Sequence, residues 1–202
     1  MSHPSSAFAW TDIAAMRNVM EQRSFAHLFC ATPEGPMVAH APVVVTPNGD
    51  LRFHLARGNR IVRHLNGARL LASIVALDFY VSPDWYQGSD QVPTWNYKAV
   101  EAEGLVRPLE KEELVELLDL LSDTHEAQLD PKPRWTRFKM TPGRFEAMLA
   151  AIRGFEVKVD ALRGTAKLSQ NKDEADRAGV VAGLQACGRL QEAALMQGSG
   201  AT

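Results

Sequence analysis

Three arginines and a histidine crowd the end of one apolar segment, Phe53-His-Leu-Ala-Arg-Gly-Asn-Arg-Ile-Val-Arg-His64. A strand, a turn through Gly58 and a helix start would bring three kinds of donor to one spot: the Arg57 and Arg60 guanidinium groups, a closely approachable backbone, and the first amides of the helix. An anionic phosphate needs that set of donors. Arg63 and His64 follow within one turn. The same residues also read as a solvated basic turn. A second cluster lies in Tyr80-Val-Ser-Pro-Asp-Trp-Tyr86 and Gln91-Val-Pro-Thr-Trp-Asn-Tyr97, where two Trp, three Tyr, two Pro and an Asn fall within eighteen residues. Aromatics held on a proline-bearing loop stack on a flat ligand, bury a subunit contact, or fold onto their own core. Trp95, Asn96 and Tyr97 offer a flat face and edge hydrogen bonds. A phosphate grip on one element and an aromatic face on another describe a phosphorylated planar ligand, of which flavin mononucleotide is one. The third cluster, Lys167-Leu-Ser-Gln-Asn-Lys172, is polar and unbulky. It reads as a helix-entry loop capped by Asn171, or as Ser169, Gln170 and Lys172 reaching an anion.

Other chemistries find less support. His40, His54 and His64 sit on separate elements, and Thr124-His-Glu-Ala-Gln128 lacks the second histidine of a zinc metalloprotease helix. No metal site is expected. Cys30 lies in an apolar segment whose burial would raise its pKa and leave it inert. No Gly-x-Ser-x-Gly elbow, Walker A loop or dinucleotide fingerprint occurs, and no catalytic residue stands out. A formal net charge of -2 and a pI near 6.3 argue against a broadly basic nucleic-acid surface. Two distant cysteines suit a reducing compartment, and neither a signal peptide nor an apolar run of roughly 18 residues is seen. The expectation is a soluble, cytoplasmic protein with no membrane association.

The elements that must position these clusters follow from periodicity. Thr11 or Asp12 caps a helix whose Ile13, Met16, Val19 and Met20 share one face. Strands are expected over 25–32 and 37–46, joined by Pro33-Glu-Gly-Pro36, then a turn at Pro47-Asn-Gly-Asp50 and a strand over 51–56. Residues 59–65 read as a short helix, 70–81 as one bent strand or two, and 97–107 as a strand ended by Pro108. Leu114, Leu117, Leu118 and Leu121 predict a helix over 110–122, with a polar connection over 125–135 and a short helix over 142–150. Residues 152–162 read as a strand with an irregularity near Gly154, and Asn171 with Glu174 as a capping box opening a last helix to Ala186. Residues 198–202 read as a frayed tail. Roughly six strands joined by short turns, with helices around them, suggest a single α+β domain over 1–202. It is mainly β, antiparallel, and built on a closed or partly closed barrel.

Taken together, the Tyr80–Tyr86, Gln91–Tyr97 and Lys167–Lys172 runs resemble the signature segments of PaiB-type proteins, a family of FMN-binding negative transcriptional regulators. The likeness extends to Phe53-His-Leu-Ala-Arg-Gly-Asn with His64-Leu65, to Ala39-His-Ala-Pro42 and to Ile152-Arg-Gly-Phe155. It covers about residues 10–190. One departure is Gly58, where family members tend to carry Ala; another is Ile61, near which they tend to carry an aromatic or polar residue. The resemblance implies an FMN-binding split β-barrel, a homodimer, and a flavin in the groove between subunits. Carried over by position, His54, Ala56, Arg57 and Asn59 grip the phosphate, with His64 one turn on. His40, Pro42 and Val43 lie along the isoalloxazine, and Trp95, Asn96 and Tyr97 close the site, from the partner subunit in one arrangement. It also implies a DNA contact, made directly or through another protein. Two alternatives stand beside the regulator: a flavin-dependent oxidoreductase or flavin reductase acting on a small molecule, and a haem-binding or haem-degrading split-barrel protein.

Overall fold

The structure is a computed structural model that describes residues 3–198. Seven strands form one antiparallel sheet: β1 (Ala9–Trp10), β2 (Phe25–Thr32), β3 (Gly35–Val45), β4 (Leu51–Ala56), β5 (Arg69–Val81), β6 (Thr94–Pro108) and β7 (Ile152–Lys167). Five α-helices accompany them: α1 (Ile13–Arg23), α2 (Lys111–Glu126), α3 (Arg144–Leu149), α4 (Glu174–Ala186) and α5 (Leu190–Gly198). The strand order is β1-β7-β4-β3-β2-β5-β6, and a further β6–β7 pairing closes the last six on themselves. The sequence reading was one domain. The contacts of the described residues group into two compact units, one of residues 13–74 and 101–162, the other of the described residues up to 12, 75–100 and those from 163 onward. Three of the four boundaries fall inside β5, β6 and β7, and the fourth lies just before α1, so no linker composition marks them.

The first unit is the barrel. Alternation drives it: Ala26, Leu28 and Cys30 of β2, Ala39, Ala41 and Val43 of β3, and Leu51, Phe53 and Leu55 of β4 all point inward and are buried. Phe53 and Phe155 are directly paired across β4 and β7 and stack with centroids 5.6 Å apart. Burial raises the pKa of the Cys30 thiol. Gly104 allows a close approach of β6 to β7; a Cβ there would stand 1.9 Å from the Lys158 carbonyl oxygen. Helix α2 starts with the reciprocal Glu110/Glu113 capping box and buries Leu114, Leu117 and Leu121 with Leu149 of α3, against Val44 and Ile152.

The second unit has its own core of Phe79, Val81, Tyr86, Leu168, Val180, Leu184, Ala193 and Met196. Its loop after β5 is anchored by the buried Asp176, whose Oδ1 accepts from the Gln87 and Gly88 amides at 2.8 and 3.2 Å.

Several local expectations are corrected. Residues 59–65 form only a three-residue 3-10 helix, Val62–His64, because Asn59 Oδ1 takes the Ile61 amide and i→i+3 bonds bury Ile61, Val62 and Leu65 together. So short a turn has no helix dipole to offer an anion. Gly154 shows no irregularity; β4 and β7 stay in register from Leu51↔Val157 to Ala56↔Ile152. Its missing side chain instead admits Leu109 and Leu114, which would stand 3.0 Å from a Cβ. The cap of α4 is Asp173, which accepts the Asp176 amide, rather than Asn171. Gly188, at φ 73°, turns the chain into a further helix, α5. Gly198 closes α5, and the rest of the expected tail, 199–202, lies outside the described residues.

Candidate functional site

Four arginines meet where β4 ends. Arg57, Gly58, Asn59, Arg60, Val62 and Arg63, with Arg153 from β7, line an open cavity of about 330 Å3. Arg153 arrives because Leu55 pairs with it across β4 and β7, so the strand that follows the barrel's helices brings a cation to a turn nearly a hundred residues earlier in the chain. The Arg57 amide bonds to the Ala151 carbonyl and its Nε to the Ala150 carbonyl, which pins the turn to the end of α3. Arg63 is committed: it pairs with Glu34 at 2.5 Å and donates from Nε to His64 Nε2 at 3.0 Å. His64 itself lies 3.6 Å from Glu34. Arg60 and Arg153 have no acidic partner among the described residues. Two unneutralised guanidinium groups beside an open cavity fit the oxygens of a phosphate monoester. The residues present therefore fit the phosphate end of FMN.

The other expected residues are placed differently. Ala56 is exposed at the strand end, next to the turn. His54 faces another cavity of the barrel unit, beneath α2 and α3, where burial lowers its pKa. On the outer face of β3, His40 is exposed, Pro42 is half-buried, and Val43 points into the core. His40 meets His27 of β2 with Nδ1 atoms 2.8 Å apart and rings nearly perpendicular. Phe25 and Phe29, on the same outer face of β2, stand 50% and 44% exposed.

In the second unit, Trp95 is exposed and meets Tyr80 edge-on at 6.2 Å, which leaves a flat aromatic face open. Tyr97 is half-buried. Asn96 is fully buried; its Nδ2 donates to Ser169 Oγ at 2.9 Å and contacts Met196 Sδ at 3.4 Å. Its amide serves this unit's interior. Ser169 sits at φ 58°, and Lys167 donates to Thr94 Oγ1 and to the Trp95 carbonyl, so the polar run ties α4's entry to the start of β6. Burial lowers the Lys167 pKa. Lys172 donates to Gln91 and lies over the Tyr86 ring.

Sequence reasoning missed Arg153. It stood in view within Ile152-Arg-Gly-Phe155, but only strand pairing assigns it to the turn. Among the described residues, no group of three or more His, Cys, Asp or Glu side chains could hold a metal ion, and no helix is long and apolar enough to cross a membrane.

Comparison with known proteins now decides the family. The sequence profile described as "Putative FMN-binding domain" matches residues 2–161. "Protease synthase and sporulation protein PAI 2" of Bacillus subtilis is 31% identical over 182 residues, covering 88% of this chain and 86% of the Bacillus protein. The chain belongs to the PaiB-type FMN-binding family. FMN is the cofactor that membership assigns to this PaiB-type protein. Among solved structures, the FAD and heme binding protein of Mycobacterium smegmatis matches with TM-score 0.61 at 17% identity, over 84% of this chain and 78% of that one. The flavocytochrome Anf3 of Azotobacter vinelandii matches at 0.59 and 16% identity, over 85% and 75%. At such identities these likenesses establish the fold, the antiparallel split barrel of the PaiB-type chain.

Proposed function

We propose that this PaiB-type protein is a flavin-binding negative regulator of transcription that holds FMN in a groove completed by a second copy of the chain. The observation that carries the reading is the cavity of Arg57, Arg60, Arg63 and Arg153, in which Arg60 and Arg153 lack any acidic partner among the described residues. Arg60, Arg153, Arg57 and Asn59 take the phosphate, and the outer face of β3 from His40 to Pro42 borders the ring system. FMN bound there supplies a redox centre. The exposed Phe25 and Phe29 beside this face support a subunit contact, since paired large apolar groups on a sheet exterior favour cover. Trp95 and Tyr97 close the ring system, contributed by the partner copy. Kinship with the Bacillus sporulation protein supports the regulatory role. With a formal net charge of -2, the protein acts on transcription through a local basic contact or another protein rather than a broad cationic face.

The test is an absorbance spectrum after desalting, run with the mass in solution. Flavin bands that travel with a dimer, and that are lost in the Arg60→Ala/Arg153→Ala double variant, are expected. Flavin retained undiminished by that variant removes the arginine turn from the site, and a flavin-loaded monomer removes the shared groove. A promoter-fusion reporter then reads the regulatory role: the intact chain lowers output, and an unchanged output on deletion rejects it.

A further inference from the structure

Beneath α2 and α3 the barrel unit carries a second cavity, of about 280 Å3, just under the ~300 Å3 at which ligand pockets begin. Its walls are Leu118 and Ile152, the rings of Trp135 and Phe145, and the thioether of Met148. The nearby charge is self-neutralised: Arg137 Nε donates to both carboxylate oxygens of Asp119 at 3.0 and 3.1 Å, and its guanidinium lies over the Phe145 ring at 5.1 Å. His54 lines this cavity from β4, and its Nδ1 is closed off from solvent with no hydrogen-bond partner. A buried polar nitrogen left bare costs about 1–3 kcal/mol, so it marks a place where a partner belongs. Burial also disfavours the imidazolium, which keeps a neutral ring there.

We propose that this cavity is a binding site for a small, neutral aromatic molecule carrying one hydroxyl group, a phenol or compact aromatic alcohol, whose hydroxyl pairs with His54 Nδ1 once the imidazole turns to bring that nitrogen to the cavity. Each part of that chemistry has its counterpart. Flat aromatic walls and a polarizable sulfur suit a ring. The Arg137–Asp119 pair leaves no uncompensated charge for an ionic ligand to meet. A hydroxyl both donates and accepts, so it satisfies Nδ1 in either tautomer of the neutral imidazole. The site is separate in its lining from the arginine turn and does not depend on flavin.

The experiment titrates the full-length 15N-labelled protein with p-cresol and, separately, with toluene, following the His54 ring nitrogens and the Trp135 indole by NMR. We expect p-cresol to saturate with shifts at both residues and to bind at least tenfold tighter than toluene. His54→Leu makes the two ligands equal. Met148→Trp, at a half-exposed wall position, fills the cavity and abolishes both, with unfolding temperature and flavin retention unchanged. The proposal is overturned if neither compound binds, if toluene matches p-cresol in the wild type, or if p-cresol shifts arise away from His54 and Trp135. If His54→Leu does not fold, the wild-type ratio and the Met148→Trp loss still decide.

Discussion

The arginine turn after β4 and the polar run around Ser169 look alike as strings of residues, and the fold uses them in opposite ways. In the turn, Arg57 spends Nε on a main-chain carbonyl and Arg63 spends its charge on Glu34, but Arg60 and Arg153 face an open cavity without acidic partners. Around Ser169, three of the donors that drew attention are paired within the unit: Asn96 Nδ2 to Ser169, Lys167 to Thr94 and the Trp95 carbonyl, Lys172 to Gln91. Charge left over at a surface is available for a ligand, whereas donors paired in an interior specify a conformation. Two runs with equally distinctive composition thus differ in where their donors are already engaged.

That division is open to direct tests. The largest effect is expected where no polar chemistry is involved. Gly104→Val would drive a side chain into the Lys158 carbonyl and part β6 from β7, lowering stability by about 3 kcal/mol or more. Denaturant unfolding should show it, and a near-native midpoint would mean that the closure is not tight. Next, Asn96→Ala removes a buried amide and should cost about 2 kcal/mol in stability. FMN affinity per folded molecule should stay within about twofold. A large loss of flavin with intact stability would place Asn96 in the site and erase the contrast drawn above. In the turn the pattern reverses: Arg60→Ala with Arg153→Ala should weaken FMN binding by about tenfold or more while stability shifts by less than about 0.5 kcal/mol. Equilibrium dialysis and thermal melts read the two quantities separately.

The smallest effect concerns the barrel's own ion network. Hydrogen bonds from Arg107, then the Glu110 amide, hold the Glu113 pKa down to about 2. Because the folded value lies below the ordinary 4.5, this contact stabilises the protein above about pH 4.5, and its contribution is lost as pH falls from there towards 2. Glu113 is a quarter exposed, so the contribution is at most about 1 kcal/mol. Glu113→Gln should flatten that part of the acid-unfolding curve; an unchanged curve would show that the network carries nothing measurable.

Local chemistry made much of the barrel legible. The bounds of β2 and β4 follow from short apolar segments set off by the Pro33–Pro36 and Pro47–Asp50 turns, and α2 follows from its leucine stripe and acidic first turn. The short 59–65 segment was not legible, because three buried apolar residues suit a 3-10 turn and an α-turn equally until the barrel wall chooses between them. Nor was the sheet's seventh strand, whose two residues, Ala9 and Trp10, gain their identity only by pairing with Thr165 and Gly164.

The site divides along the same line. Its cationic turn is written in contiguous residues, so the kinds of donor, their spacing and the family to which they belong were decided by the chain alone. Which donors remain free was not. Arg153 joins the turn through a strand register, Asn96 is buried in the second unit, and His54 lines a cavity roofed by α2 and α3. Each of these depends on residues distant in sequence, where partner and solvent are assigned by packing rather than by residue type.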